Sequence, residues 1–256
     1  MVNDNALVIK NISVCFDGFY ALTDVNANVK RNSIHFFIGP NGAGKTTLLD
    51  IICAKTRPTQ GSVIFYPKNG DSMKLTKMKE YKIVHAGVGR KFQVPSVFVN
   101  LTVEENMILS LKGHKGIWDC IFCKPSKAEM EWIYEILERI GLKDFSKLRA
   151  GALAHGQKQW LEIGMQLVQK PEIIMLDEPA AGMNDSETAA LTELIRGIRE
   201  TYKTTIILIE HDMHLVMTLC DRLIVVNFGE KLAEGVPEEV QNNPAVIEAY
   251  LGKEDE

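Results

Sequence analysis

Long apolar runs are missing from this sequence. The longest apolar stretches, such as IIML and IILI, have the length of strands, whereas a membrane-spanning helix needs about twenty consecutive apolar residues. The chain opens MVNDNALVIK, without the charged and then apolar segment of a secretory signal. We therefore expect any connection to a membrane to go through a partner.

An excess of positive charge is missing as well. The 256 residues carry 29 lysines and arginines against 33 aspartates and glutamates, a formal net charge of -4, and the sequence pI is near 5.9. A dedicated nucleic-acid binder usually has a basic face and a high pI, so we expect no nucleic-acid partner. With 46% hydrophobic and 24% charged residues, the composition is that of an ordinary soluble globular protein.

Cysteine is scarce, and its five positions are scattered and odd in number. This usage favours free thiols in a reducing compartment over a disulfide framework. Cys120 and Cys123 form a C-x-x-C pair, but a zinc site needs further ligands and His114 is the one candidate nearby. We interpret the pair as two idle thiols.

The apolar patterns predict an α/β fold. Period-two alternation in LVIKNISVCF predicts a strand-rich N-terminal layer, and the apolar strand SIHFFIG runs into a glycine-rich turn followed by the helix KTTLLDIICA. From Pro171 onward, apolar strands alternate with amphipathic helices. That alternation is typical of a mainly parallel sheet covered on both faces.

Helical patterns dominate the middle of the chain. In KAEMEWIYEILERIGL the apolar residues recur at helical spacing and make one face of a helix. We predict an inserted helical subdomain at residues 94–164. The nucleotide-binding core is then formed by residues 1–93 and 165–256.

The segment GPNGAGKTT carries the strongest local signal. It matches the phosphate-loop pattern of two glycines five positions apart followed by Lys and Thr, and it lies between a strand and a helix as that motif requires. The backbone amides of such a loop surround phosphates at a helix N-terminus, where the helix dipole favours anions. Lys45 is expected to reach the outer phosphates of a bound nucleotide, and Thr46 to bind Mg²⁺. The predicted ATP-binding residues of the loop are Gly39, Pro40, Asn41, Gly42, Ala43, Gly44, Lys45, Thr46 and Thr47.

An acidic pair follows the apolar strand in EIIMLDEP. A phosphate loop alone is compatible with kinases, GTPases, helicases and transport motors, so this second site helps to decide among them. Asp177 is predicted to hold Mg²⁺, and Glu178 to polarise the attacking water as a general base. Without the phosphate loop, a solvated turn or a helix cap would be the better interpretation of this pair.

With these motifs the chain resembles the ABC ATPase family over nearly its whole length. Gln93, in GRKFQVP, matches the glutamine that links Mg²⁺ and the attacking water to the helical subdomain. His211, in LIEHDM, matches the switch histidine that contacts the terminal phosphate, whereas His35, His85 and His214 are expected to be structural. The implied fold is a P-loop NTPase core of the ABC ATPase type with an N-terminal antiparallel β layer and an inserted helical subdomain.

The segment LAHGQ matches the family's signature motif, which is formed by Leu153, Ala154, His155, Gly156 and Gln157. It opens a helix whose N-terminus can meet the terminal phosphate of a nucleotide bound elsewhere. The resemblance implies that this nucleotide belongs to a second ATPase subunit, either an identical chain or a related one. Closure of the dimer is then coupled to ATP binding, and reopening to hydrolysis.

Two departures from the usual family pattern indicate a branch. Ala154 and His155 replace the Ser and the first Gly of the usual Leu-Ser-Gly-Gly-Gln, and Asn184 stands where an aspartate is usual. Both resemble the ATPases of transporters for branched-chain amino acids, urea and short amides. KFQVPSVF together with LAHGQKQWLEIGM looks closest to the urea-transporter ATPase, so urea import is the leading expectation. Import of branched-chain amino acids or amides is the alternative.

Phe16, in VCFDGFYAL, resembles the aromatic residue that stacks on adenine, a contact that needs a flat ring. A core position is the competing interpretation, and Phe19 and Tyr20 are nearby alternatives for the stacking role.

The resemblance further implies two membrane-spanning permease subunits and, indirectly, a substrate-binding protein, with this chain peripheral at the cytoplasmic face of the plasma (inner) membrane. A groove near Gln93 and residues 94–98 would receive a helix of each permease. A bulky charged change at Val97 is therefore predicted to uncouple transport from ATP hydrolysis.

Three other classes compete with this interpretation. A small-molecule kinase would not need LAHGQ or the switch histidine. A non-transport ABC ATPase usually has a long coiled-coil insertion or a second fused motor, neither of which is present in this sequence. A protein that binds ATP without turnover would commonly have lost the base that Glu178 provides.

Overall fold

The computed structural model describes residues 4–91, 97–112 and 125–251. Two β-sheets are stacked, and helices cover the outer face of the larger one. The ten strands, in chain order, are β1 Asn5–Phe16, β2 Phe19–Lys30, β3 Ile34–Ile38, β4 Gln60–Phe65, β5 Met73–Lys74, β6 Val88–Lys91, β7 Ile173–Asp177, β8 Thr205–Ile209, β9 Arg222–Asn227 and β10 Glu230–Gly235.

The larger sheet has the strand order β10-β9-β3-β8-β7-β6. Its strands run parallel except for β10, which pairs antiparallel with β9. β3, β7 and β8 are buried at every position, as expected for strands covered on both faces. In β3 the side chains of Phe36 and Ile38 face the helices, whereas Phe37 faces the smaller sheet.

The smaller sheet is antiparallel, with the order β2-β1-β4-β5. Its inner face packs with the first helix and with one face of the larger sheet around Phe37, Leu49 and Val63. The alternation predicted a strand-rich N-terminal layer and the family resemblance implied that it is antiparallel, and both are therefore confirmed.

Nine α-helices lie in the described part of the chain. They are α1 Lys45–Ile52, α2 Glu80–Ala86, α3 Val103–Leu109, α4 Lys127–Arg139, α5 His155–Val168, α6 Asp185–Tyr202, α7 Met213–Leu219, α8 Pro237–Gln241 and α9 Pro244–Leu251. α3 to α7 share the second core, on the other face of the larger sheet. Capping boxes begin α3 at Thr102, α4 at Ser126 and α6 at Asn184.

α5 runs without a break through residue 164, where the sequence placed a subdomain boundary. Gly164 does not end this helix. A Cβ added there would lie 2.6 Å from Ile140 Cδ1, so the glycine lets the residue that follows α4 approach the α5 backbone closely. The division into residues 94–164 and the rest of the chain stays a prediction.

Within the described residues, we find no helix that is both long and apolar enough to cross a membrane.

Candidate active site

Three of the predicted catalytic segments meet at one edge of the larger sheet. β3, β8 and β7 are adjacent and parallel, with Phe37 opposite Ile209 and Ile209 opposite Asp177. Their carboxyl ends therefore lie side by side, and each strand is followed by one of the segments that the sequence singled out. This edge is where α/β folds with parallel sheets bind ligands.

The phosphate loop leaves β3 and leads into α1. Gly39 has a φ of 149°, and a Cβ at this position would overlap the carbonyl oxygen of Val226 on β9. Gly44 has a φ of 103°, and a Cβ there would lie 2.8 Å from the Ala21 carbonyl oxygen. Both positions require glycine, because the loop is pressed against β9 and β2. α1 begins at Lys45, so its first-turn amides point into the loop without partners inside the helix.

Lys45 is buried and folds back along the loop. Its Nζ donates to the carbonyl oxygens of Gly39 at 2.7 Å and Pro40 at 2.9 Å, which leaves one of its three donors for a phosphate. Burial lowers the pKa of Lys45, and the negative charges of Glu178 and Asp177 oppose that shift. The loop lysine and the acidic pair therefore share one electrostatic environment.

Asp177 is held by an arginine that the sequence analysis did not single out. Arg90, on β6, donates from Nη2 to Asp177 Oδ2 at 3.1 Å and from Nη1 to Asp50 Oδ1 on α1. Burial raises the pKa of Asp177, and the charge of Arg90 opposes that rise. The other oxygen, Asp177 Oδ1, is buried without a hydrogen-bond partner among the described residues.

Glu178 and His211 face each other across the ends of β7 and β8. Glu178 Oε1 lies 3.3 Å from His211 Nε2, and both side chains are at least partly exposed. Glu178 adopts a φ of 47°, and its amide donates to the Ile209 carbonyl oxygen at 2.9 Å. A non-glycine residue in this conformation carries backbone strain of a kind that is common at functional sites.

The signature residues begin α5 beside the loop that follows Glu178. Leu153 and Gly156 are buried, whereas Ala154 and His155 are exposed. The Ala154 amide donates to Gln157 Oε1 at 3.0 Å, but the Ala154 methyl group cannot accept a hydrogen bond as a serine hydroxyl would. The first-turn amides of α5 therefore have no side-chain cap at this position.

Phe16 ends β1 and pairs with Phe19, and both rings are exposed, as is Tyr20. None of the three belongs to the core, so the competing core interpretation of Phe16 is wrong, while its stacking role stays a prediction. Gln93, Cys120, Cys123 and His114 lie outside the described residues.

Glu210 and Phe228 also lie at this edge, and the sequence analysis missed both. Glu210 is buried directly before His211. Phe228 is 90% exposed at the tip of the β9–β10 hairpin, where the neighbouring Gly229 amide donates to the Ala43 carbonyl oxygen at 3.1 Å. The turn sequence NFGE is a signal that could have drawn attention to Phe228.

Comparison with known families places the chain. The model of the "ABC transporter" family matches residues 22–181. A second model, described as "Branched-chain amino acid ATP-binding cassette transporter", matches residues 230–256.

Two relatives are similar along their full length. The high-affinity branched-chain amino acid transport ATP-binding protein LivG of Escherichia coli is 40% identical over 254 residues, covering 96% of this chain and 98% of its own. The corresponding BraF of Pseudomonas aeruginosa is 37% identical over 254 residues, with the same coverage of both chains. The expected closeness to the urea-transporter ATPase is not supported by these relatives, whose names refer to branched-chain amino acids.

Solved structures agree with the fold. The ADP conformation of MJ1267, an ATP-binding cassette of an ABC transporter, has a TM-score of 0.83 at 30% identity, covering 98% of this chain and all of that one. The dimeric post-hydrolysis state of the cassette MJ0796, bound to ADP and phosphate, has a TM-score of 0.74 at 25% identity, covering 90% and 98%. The ABC ATPase fold predicted from the sequence is therefore confirmed. The chain belongs to the ABC transporter family as an ATP-binding subunit, an ATPase coupled to transport, in the branch that contains LivG and BraF.

Proposed function

We propose that this chain is the ATP-hydrolysing motor of an importer for branched-chain amino acids. The observation that carries the motor role is the meeting of Lys45, Asp177, Glu178 and His211 at the carboxyl edge of one parallel sheet. The cargo rests on similarity to LivG and BraF, because the motor itself does not contact the solute.

The residues divide the reaction among them. Lys45 and the backbone N–H groups of the phosphate loop, which all its residues except Pro40 carry, bind the outer phosphates of ATP. Glu178 accepts a proton from the attacking water as the terminal phosphoryl group leaves ADP, and His211, 3.3 Å from Glu178, contacts that phosphoryl group. Phe16 stacks on adenine, and Gln93 contacts the attacking water.

Mg²⁺ suits the donor set of this edge. The buried and unpartnered Asp177 Oδ1 is the kind of hard oxygen ligand that Mg²⁺ prefers, and the Thr46 hydroxyl is a second one. We assign the ion to Thr46, Asp177 and Gln93. Oxygens of the bound ATP would supply further ligands. When bound, the ion neutralises charge on the outer phosphates.

A second ATPase subunit completes each ATP site. The uncapped start of α5, with residues Leu153 to Gln157, supplies amides to the terminal phosphate of ATP held by that subunit. The partner is either a second copy or a related motor. Two permease subunits hold the pair at the cytoplasmic face of the inner membrane, and a substrate-binding protein delivers the solute.

Uptake measurements test the cargo. Cells that lack this chain would be supplied with the wild-type chain or with Lys45→Ala, and uptake of labelled leucine and labelled urea would be compared. We expect leucine uptake to be lost without the chain, restored by the wild type and not by Lys45→Ala, while urea uptake stays unchanged. Loss of urea uptake alone would overturn the cargo and leave the motor role intact.

A further inference from the structure

The loop that follows Glu178, residues 178–184, is called here the base loop. It contains two tight turns, in which Ala181 N donates to the Glu178 carbonyl at 3.2 Å and Met183 N to the Ala180 carbonyl at 3.0 Å. Ala180 and Ala181 have no polar side-chain atoms. The position of the loop therefore depends on what its backbone groups contact.

Glu210 holds the backbone amide of Ala180 in the base loop. The residue is 5% exposed, and its Oε1 accepts from the Ala180 amide at 2.8 Å while Oε2 accepts from the His211 amide at 3.1 Å. Burial raises the pKa of Glu210, and the hydrogen bonds from these amides oppose that rise. One side chain thus ties the base loop to the backbone of the switch histidine.

Gln159, on the signature helix α5, holds the carbonyl group of Ala181 in the base loop. It is buried on α5, and its Nε2 donates to the Ala181 carbonyl at 3.1 Å. The orientation of the amide follows from this contact, because only the nitrogen can donate to a carbonyl. The same Nε2 lies 3.0 Å from His155 Nε2, within the signature motif.

We propose that Gln159 and Glu210 are positioning residues that hold the base loop between the signature helix and the switch histidine. Glu210 accepts a hydrogen bond from the Ala180 N–H, and Gln159 donates one to the Ala181 carbonyl oxygen. Two successive residues of the base loop are therefore held, one through its N–H group and the other through its C=O group. Together they set the position of Glu178 relative to His211. A shift of the signature helix, whose N-terminus contacts the other subunit's ATP, is thereby passed to this chain's own base. The inference rests on the proposed function in that Glu178 is the base.

Two isosteric variants of the full chain test the inference. Glu210→Gln replaces one accepting oxygen by an NH2 group that cannot accept from an amide, and Gln159→Glu replaces the donor to Ala181 by an oxygen that repels the carbonyl. Matched controls are Glu234→Gln, which loses a carboxylate paired with Lys231 at 2.9 Å on β10, and Gln169→Glu, which loses a donor to the Met165 carbonyl at 3.4 Å.

We expect kcat for ATP hydrolysis to fall about tenfold to 100-fold in each test variant, since a displacement of about 1 Å at a catalytic group has an effect of this size. The dissociation constant for ATP should stay within about twofold of wild type, because the hydrogen bonds of both residues go to the base loop, His155 and His211 rather than to the phosphate loop. An unchanged dissociation constant also reports that the variant is folded. The double variant should lose no more than the worse single variant, because both residues hold one loop.

A kcat at the level of the controls in both variants would overturn the proposal. So would a loss of ATP affinity in parallel with kcat, which is the result that a merely structural role gives. If one variant fails to fold, the other carries the test alone. Glu178→Gln is measured beside them as a reference. Wild-type turnover in Glu178→Gln would overturn the role of Glu178 as the base. If Glu178→Gln is inactive but Gln159→Glu and Glu210→Gln are fully active, the positioning role alone is overturned.

Discussion

Replacing Arg90 by methionine should destabilise the protein strongly. The Arg90 guanidinium lies between Asp177 and Asp50, and the exposed fractions of the three side chains are 4%, 1% and 18%. Methionine keeps the apolar stem but removes the charge, so Asp177 loses its ion-pair partner and Asp50 keeps only Lys55, whose Nζ lies 3.6 Å from Asp50 Oδ1. Removing one partner of a buried ion pair costs about 3–5 kcal/mol. We expect the lower end of that range, because Asp50 has some access to water.

Urea unfolding followed by circular dichroism measures this loss. With an m-value of about 3 kcal/mol/M, a loss of about 3 kcal/mol lowers the midpoint by about 1 M. Adding Asp50→Asn to Arg90→Met should recover part of the loss, since one of the two charges is then neutral. Arg196→Met removes a surface pair with Glu193 and should cost at most about 1 kcal/mol.

A loss in Arg90→Met no larger than that of Arg196→Met would refute the reasoning. It would mean that the carboxylates of Asp50 and Asp177 do not depend on the arginine for their stability. Failure of Asp50→Asn to recover any stability would point to lost packing as the cause instead.

Three further predictions concern other parts of the fold. Gly39→Ala should abolish ATP binding in a fluorescent-nucleotide titration, because its Cβ overlaps the Val226 carbonyl, and near-normal affinity would contradict the close approach. Burial lowers the pKa of His35 from 6.5 to about 3. Between these two pH values, the imidazole is protonated in the unfolded chain and neutral in the folded chain. The contribution of His35 is therefore present above pH 6.5 and falls by about 1.4 kcal/mol per pH unit toward pH 3, and unfolding of His35→Gln should lack this slope. A charged residue at Val97 should uncouple transport from hydrolysis. Because Val97 packs against the core, a charge there could also destabilise the protein, so Phe98→Asp at an exposed neighbouring position serves as a second variant that leaves the core intact. Unchanged solute uptake in both variants would count against the predicted permease groove.

The sequence predicted the parts of the site that are local in the chain. The phosphate loop is one continuous motif, and the burial of β3, β7 and β8 follows from runs of apolar residues that can be read directly. Asp177 and Glu178 were found because they follow such a run, and His211 through its resemblance to a family pattern.

The missed residues are those whose role depends on distant partners. Arg90 and Asp177 are 87 positions apart, and Glu210 contacts a loop 30 positions away. Nothing in the local sequence shows which backbone amides a buried carboxylate will meet. The close approach of Ile140 to Gly164 is likewise a contact between distant parts of the chain, which the local sequence does not show. For the cargo, the relatives support the alternative, branched-chain amino acids, rather than the leading expectation of urea.

Hydrolysis of ATP by Glu178→Gln is the most direct test of the account as a whole. Purified wild-type and variant chains would be compared by nucleotide titration and by release of phosphate from ATP in the presence of Mg²⁺. The variant should bind ATP with wild-type affinity and hydrolyse it about 10²- to 10⁴-fold more slowly, the usual contribution of a general base. Wild-type turnover by Glu178→Gln would contradict the assignment of the base and of the catalytic edge built around it.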